Sequence, residues 1–105
     1  MEIGASGFAD AAARVDHFEK HGADFGAKSA HEYEQMARDF LNQPPKPTIV
    51  RGVRRGNGDI LRYDTESCAF AVMRSDGVIK TFFKPNPNWH GFRSNLAYFQ
   101  AECAK

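Results

Sequence analysis

The feature that most constrains this chain is a proline cluster set directly behind an amphipathic run. Ser29-Ala30-His31-Glu32 has the form of a capping box, serine at the cap and glutamate three residues on. Tyr33, Met36, Ala37, Phe40 and Leu41 then recur at i, i+3, i+4, i+7 and i+8, which is one face of a helix. The stretch NQPPKP (residues 42–47) must stop that helix, because proline offers no N–H and its ring clashes with the preceding turn. An earlier helix is expected from Phe8, Ala11, Ala12, Val15 and Phe18, which share helical spacing, with Gly22 placed to end it.

Beyond the prolines the texture becomes that of strands. TIVRGVRR (48–55), ILRYD (60–64), CAFAVMR (68–74) and VIKTFFK (78–84) are separated by the turns GNGD, TES and SDG. Asp-Gly between alternating apolar runs is a strong hairpin signal, so the four strands should form an antiparallel meander. PNPNWHGF closes the sheet, and Ser94 or Asn95 can cap a short last helix with Leu96 and Phe99 facing inward. The expectation is one α+β domain over residues 1–105: N-terminal helices packed on one face of a four-stranded antiparallel sheet, then a short C-terminal helix.

A chain of 105 residues can build such a core without staples, and Cys68 and Cys103 read as buried thiols rather than a disulfide framework or zinc knuckle. No apolar run approaches the roughly 18 residues a membrane span needs. The start, MEIGASGFADAAARVD, lacks the basic-then-apolar plan of a secretory signal, which still allows the tail of a longer exported chain. Net charge is only +1, but it is unevenly spread: eight acids against four bases in residues 1–40, ten bases against five acids in 41–105. That asymmetry suits a phosphate-binding surface on the second half, and equally two halves that attract each other.

Several side chains bear on chemistry. Strict alternation in 78–84 turns Val78, Lys80, Phe82 and Lys84 one way and Ile79, Thr81 and Phe83 the other. Neither set is uniformly apolar, so one sheet face should be partly open. Aromatic rings beside cations are what a single-stranded nucleic acid requires; lysine stems lying over rings on a solvated face are the plain alternative. HFEKHG (17–22) puts His17 and His21 on one helical face. Three roles fit that pair: ligands of a zinc site, which Asp24, His31 or His90 would have to complete; proton carriers; or ordinary packing. Lys46, Arg51, Arg54 and Arg55 form a run without an acid, either phosphate contacts or solvated strand ends. Trp89-His90 lies in a loop, where the indole can stack on a base or pack against the last helix, and Tyr63-Asp64 most simply finish a strand.

The runs HFEKHGADFGAKSAHEYEQMARDFL, RYD, FAVMRSDGVIKTFFKP and NLAYFQ resemble the toxin domains at the C-terminal tips of large exported bacterial proteins, those of contact-dependent inhibition and other polymorphic toxin systems. Through them the chain resembles the nuclease superfamily that unites barnase, the EndoU enzymes, colicins and RelE. The resemblance implies N-terminal helices on an antiparallel sheet of about four strands. It also implies cofactor-free, metal-independent RNA cleavage, in which the 2′-hydroxyl attacks the adjacent phosphate to leave a cyclic phosphate. Such chemistry needs a base, an acid, and donors for the phosphorane. EndoU enzymes use two histidines, a lysine and a serine or threonine; His17, His21, Lys80 and Thr81 offer those types in a different order and spacing. His21, next to Gly22, is the preferred catalyst, while Arg51, Arg54, Arg55, Lys84, Trp89 and His90 would hold the RNA. The resemblance further implies a tRNA substrate, an acidic immunity protein, and export within a larger bacterial protein that acts in the target-cell cytoplasm. A host activator stays open. Two other classes compete: a non-enzymatic nucleic-acid or protein-binding module, and a metal-dependent DNase.

Overall fold

In a computed structural model, residues 4–44 and 46–105 are described; Pro45 and the first three residues, on which parts of the helix-stop and leader readings fall, lie outside them. The order is β1 (Gly7–Phe8), α1 (Ala11–His21), a 3-10 turn (Gly22–Phe25), α2 (Ala30–Asn42), β2 (Ile49–Val53), β3 (Ile60–Asp64), β4 (Phe70–Met73), β5 (Val78–Phe83), α3 (Pro87–His90) and α4 (Asn95–Ala104).

α2 forms where the pattern requires. The Ser29 hydroxyl accepts from the Glu32 N–H at 3.1 Å, and Tyr33, Ala37, Phe40 and Leu41 are buried along one stripe. α1 starts later than its apolar spacing suggests. Asp10 caps it through the Ala13 N–H at 2.8 Å, which leaves Phe8 in the short strand β1, while Val15 is exposed. α1 ends at His21 with Gly22 as its C-cap, as expected, its N–H donating to the Phe18 carbonyl. The chain runs on through the 3-10 turn and stops at Gly26, whose φ of +68° is the left-handed conformation glycine adopts without penalty.

The class is α+β, but the sheet differs from the expected meander. It has five strands in the order β1-β5-β4-β3-β2; the three pairings among β2, β3, β4 and β5 are antiparallel, and β1 joins β5 in parallel through Gly7↔Val78 and Phe8↔Ile79. Two residues with one glycine carry no period-2 signal, so β1 is invisible to alternation.

The helices also occupy both faces rather than one. α1 and α2 cover a core of Tyr33, Phe40, Leu41, Ile49, Ala71, Ile79 and Phe82. α4 covers the opposite face, where Leu61, Tyr63, Phe70, Val72 and Phe99 are buried. The second face is therefore not the open surface expected. α4 approaches so closely that a Cβ on Gly52 would fall 2.5 Å from Cys103 Sγ. Ser94 caps this helix through the Ala97 N–H at 3.0 Å. Phe99 faces inward as expected, but Leu96 is exposed. Cys68 and Cys103 are free thiols and only half-buried.

β5 carries the most consequential departure. Val72 pairs with Thr81 but Met73 pairs with Ile79, so Lys80 is an extra residue. A bulge of this kind reverses the facing of everything beyond it. Ile79 and Phe82 therefore share the α1/α2 side, while Phe83 lies on the α4 side.

The seam between layers is held by Tyr33. It is fully buried, and its hydroxyl donates to the carbonyl of Phe82. Tyr33→Phe keeps the ring and orphans that carbonyl, so it should lower unfolding free energy by about 1–3 kcal/mol, read from urea denaturation. An unchanged midpoint would show the bond to be energetically idle.

Candidate functional site

α1 ends beside the end of β5, and this meeting builds a cleft. His21, the last residue of α1, stacks on Phe83, the last residue of β5, with ring centroids 5.2 Å apart. Phe83 meets Trp89 edge-on at 6.1 Å. His21, Phe83, Lys84, Asn86 and Trp89 line a concavity of about 330 Å³. Trp89 is 70% exposed, held at its base by edge contacts to Phe83 and Tyr98. The ammonium of Lys84 sits 5.4 Å from the centre of the Phe25 ring, and no carboxylate pairs with it among the described residues.

His17 lies one turn back from His21, ring centroids 6.1 Å apart, and stacks on Phe8 at 5.2 Å. Its Nδ1 is buried without a hydrogen-bond partner. Burial lowers the pKa of both imidazoles; for His21 the neighbouring His17 pushes the same way, against the carboxylates of Asp24 and Asp16. A depressed value keeps an imidazole neutral at neutral pH, the state a proton acceptor needs.

The remaining expected site residues divide. Lys80 and Arg54 converge on Asp59, at 2.7 and 2.9 Å from the same carboxylate oxygen, and Arg54 also meets Glu102 at 3.3 Å. Asn57 adds a third bond to the Asp59 carboxylate at 3.1 Å. Burial alone would raise the Asp59 carboxyl, yet Lys80, Asn57 and Arg54 together hold it below its ordinary value. Lys80 and Lys84 are thus not neighbours on one face. Lys80 is drawn to the turn between β2 and β3, whereas Lys84 reaches Phe25 on the α1/α2 side. Thr81 is half-buried opposite Val72, and no hydrogen bond joins it to either histidine among the described residues. The expected quartet of His17, His21, Lys80 and Thr81 is therefore not brought together as one cluster by the contacts observed.

Arg51 and Arg55 are exposed and free of ion pairs among the described residues. The pairs Arg14–Glu34, Arg54–Asp59, Arg54–Glu102 and Lys80–Asp59 each lie within one half of the chain, so they do not use the charge asymmetry. His90 is immobilised: Nδ1 accepts from the Phe92 N–H at 3.0 Å, Nε2 meets Asn95 Oδ1 at 2.9 Å, and the ring stacks on Tyr98 at 4.6 Å. Both nitrogens being occupied, it is poorly placed to hold a ligand.

Asn86 was not expected in the site. The signal was available, since Asn before Pro is a helix cap followed by proline at the first helical position, and α3 begins in that way. Among the described residues no three of His, Cys, Asp and Glu lie close enough to share a metal ion, and no helix is long and apolar enough to cross a membrane.

Fold and site together define a small α+β domain with an open cleft that offers an imidazole, an unpaired ammonium and an exposed indole. No family model matches this chain, and no curated protein matches it significantly.

Proposed function

We propose that the domain is an endoribonuclease of the bacterial toxin type, similar to the barnase–EndoU–colicin–RelE superfamily, acting on RNA and above all on tRNA. The observation that carries this reading is the cleft at the end of β5, where a half-buried His21 with a lowered pKa faces the unpaired Lys84 and the exposed Trp89. A base stacks on the indole. His21, neutral, takes the proton of the 2′-hydroxyl, which attacks the adjacent phosphorus. Lys84 offsets the charge that gathers on the phosphorane, and the leaving 5′-oxygen takes its proton from water at the open side of the cleft. The imidazolium then returns its proton to the hydroxide left by that water, which restores neutral His21 and water, and the products are a 2′,3′-cyclic phosphate and a 5′-hydroxyl.

His17 is a positioning residue in this scheme. Its stacking on Phe8 fixes α1 against β1, and with it the position of His21 one turn on. Arg51, Arg55 and Arg93 supply exposed cations for the RNA backbone. Arg54 and Lys80, spent on Asp59, are given structural duty instead. A free ribonuclease harms its producer, so an acidic immunity protein covering the cleft is part of the proposal, as is delivery within a larger exported protein.

Because the scheme uses side chains alone, tRNA cleavage should persist in excess EDTA. The check is a gel of tRNA fragments with and without chelator. Complete loss restored by zinc or magnesium would replace acid–base catalysis by His21 with metal chemistry, as in the DNase alternative. The binding-module alternative is separated by the same gel, since a binder leaves tRNA intact.

A further inference from the structure

Apart from the ring nitrogens of His21, the side-chain polar atoms that the cleft leaves free are donors. Asn86 Oδ1 accepts from the Asn88 N–H at 2.9 Å, which fixes the oxygen end of the amide and leaves Nδ2 as the free end. Nδ2, the indole N–H of Trp89 and Nζ of Lys84 have no hydrogen-bond partner among the described residues. An amide NH₂, an indole N–H and an ammonium can donate but not accept. The walls are the rings of Phe83 and Trp89, and about 330 Å³ is at the small end for a ligand site, room for one unpaired nucleotide.

We propose that the cleft selects an unpaired base bearing a keto oxygen, guanine or uracil, over adenine and cytosine, the base lying on Trp89 and its O6 or O4 accepting from Asn86 Nδ2. Guanine and uracil present an acceptor at that position, whereas adenine N6 and cytosine N4 present N–H donors. A keto oxygen gains the hydrogen bond from Asn86 Nδ2, whereas an amino group sets donor against donor and gains none. The inference deepens the ribonuclease reading and rests on it, so its test must be independent of cleavage.

Trp89 is the only tryptophan in the chain, so intrinsic fluorescence reports on this cleft alone. The probes are 2′-deoxy trinucleotides, which cannot be cleaved, differing only in the central base. Guanine, hypoxanthine and uracil should quench Trp89 with affinities about tenfold or more above those of adenine and cytosine. Hypoxanthine keeps O6 and lacks the exocyclic amine of guanine, so it isolates the keto contact. Asn86→Asp retains a capping oxygen for Asn88 and replaces the NH₂ by an acceptor. It should melt like the parent and reverse the order, favouring adenine and cytosine. Equal affinity for all five bases, a parental preference for adenine or cytosine, or an unreversed order in Asn86→Asp would overturn the inference. Base-selective quenching with no cleavage of the matching ribonucleotides would remove the nuclease and keep the base site. Absence of quenching by every probe would remove both.

Discussion

His21→Ala should abolish tRNA cleavage while leaving RNA affinity and thermal stability close to the parent. A positioned proton carrier contributes about 10²–10⁴-fold in rate, whereas one neutral imidazole adds little to a surface that holds Lys84, Arg51, Arg55 and Arg93. The pH profile supplies the second half of the result. Burial lowers the His21 pKa, so the free side chain accepts a proton only below the ordinary imidazole value of about 6.5. The cleavage rate should therefore hold level through that pH and fall on its acid side, and the acid limb should be absent from whatever activity His21→Ala retains. Single-turnover cleavage at saturating enzyme, with filter binding and melting curves alongside, separates these effects. Arg55→Ala should show the opposite pattern, with weaker salt-dependent binding and a smaller change in the bound rate.

Asp59→Ala should give the largest loss of stability among single substitutions in the ionic network. Asp59 and Arg54 have side chains only 5% and 15% exposed, and the carboxylate binds Arg54, Lys80 and Asn57 at once. Removing it strands Arg54 beside Glu102 alone, and breaking a buried pair from one side costs about 3–5 kcal/mol. Lys80 is too exposed to add much. The same group sets an acid limit. Its folded pKa lies below the unfolded one, so its stabilisation is complete above the ordinary carboxyl range near about 4 and is lost as pH falls through the lowered value. Urea midpoints at pH 7 and pH 3 should therefore differ less for Asp59→Asn than for the parent. Equal shifts in both would assign the acid sensitivity to other carboxylates, Asp64 being the next candidate because backbone N–H groups of Glu66 and Ser67 lower it against its burial.

How far the sequence could be read depended on whether a signal was local. α2 was legible in full because capping chemistry and a 3.6-residue period agree over 13 residues. The turn at Asp76-Gly77 and the strands on either side were legible for the same reason. Facing in β5 was not, since alternation assumes an unbroken period of two and Lys80 inserts one residue. That single bulge moved Phe82 to the α1/α2 core and separated Lys80 from Lys84. The roles of Arg54 and Lys80 were hidden by distance in sequence: the acid that takes both comes from the GNGD stretch, and Glu102 comes from the last helix. Placement of α4 on the second face was equally non-local, with only Gly52 hinting at a close approach. His21, Lys84 and Trp89 could be nominated by type. Their assembly into one cleft follows from where α1 ends against β5.

The most direct test of the central claim is the chemistry of the ends. Purified domain is incubated with total tRNA in EDTA, and the fragments are assayed for their termini. Fragments ending in 2′,3′-cyclic phosphate and beginning with 5′-hydroxyl, formed by the parent and absent with His21→Ala, are the predicted result. Intact tRNA, fragments with 3′-hydroxyl and 5′-phosphate ends, or parental cleavage by a folded His21→Ala would contradict it.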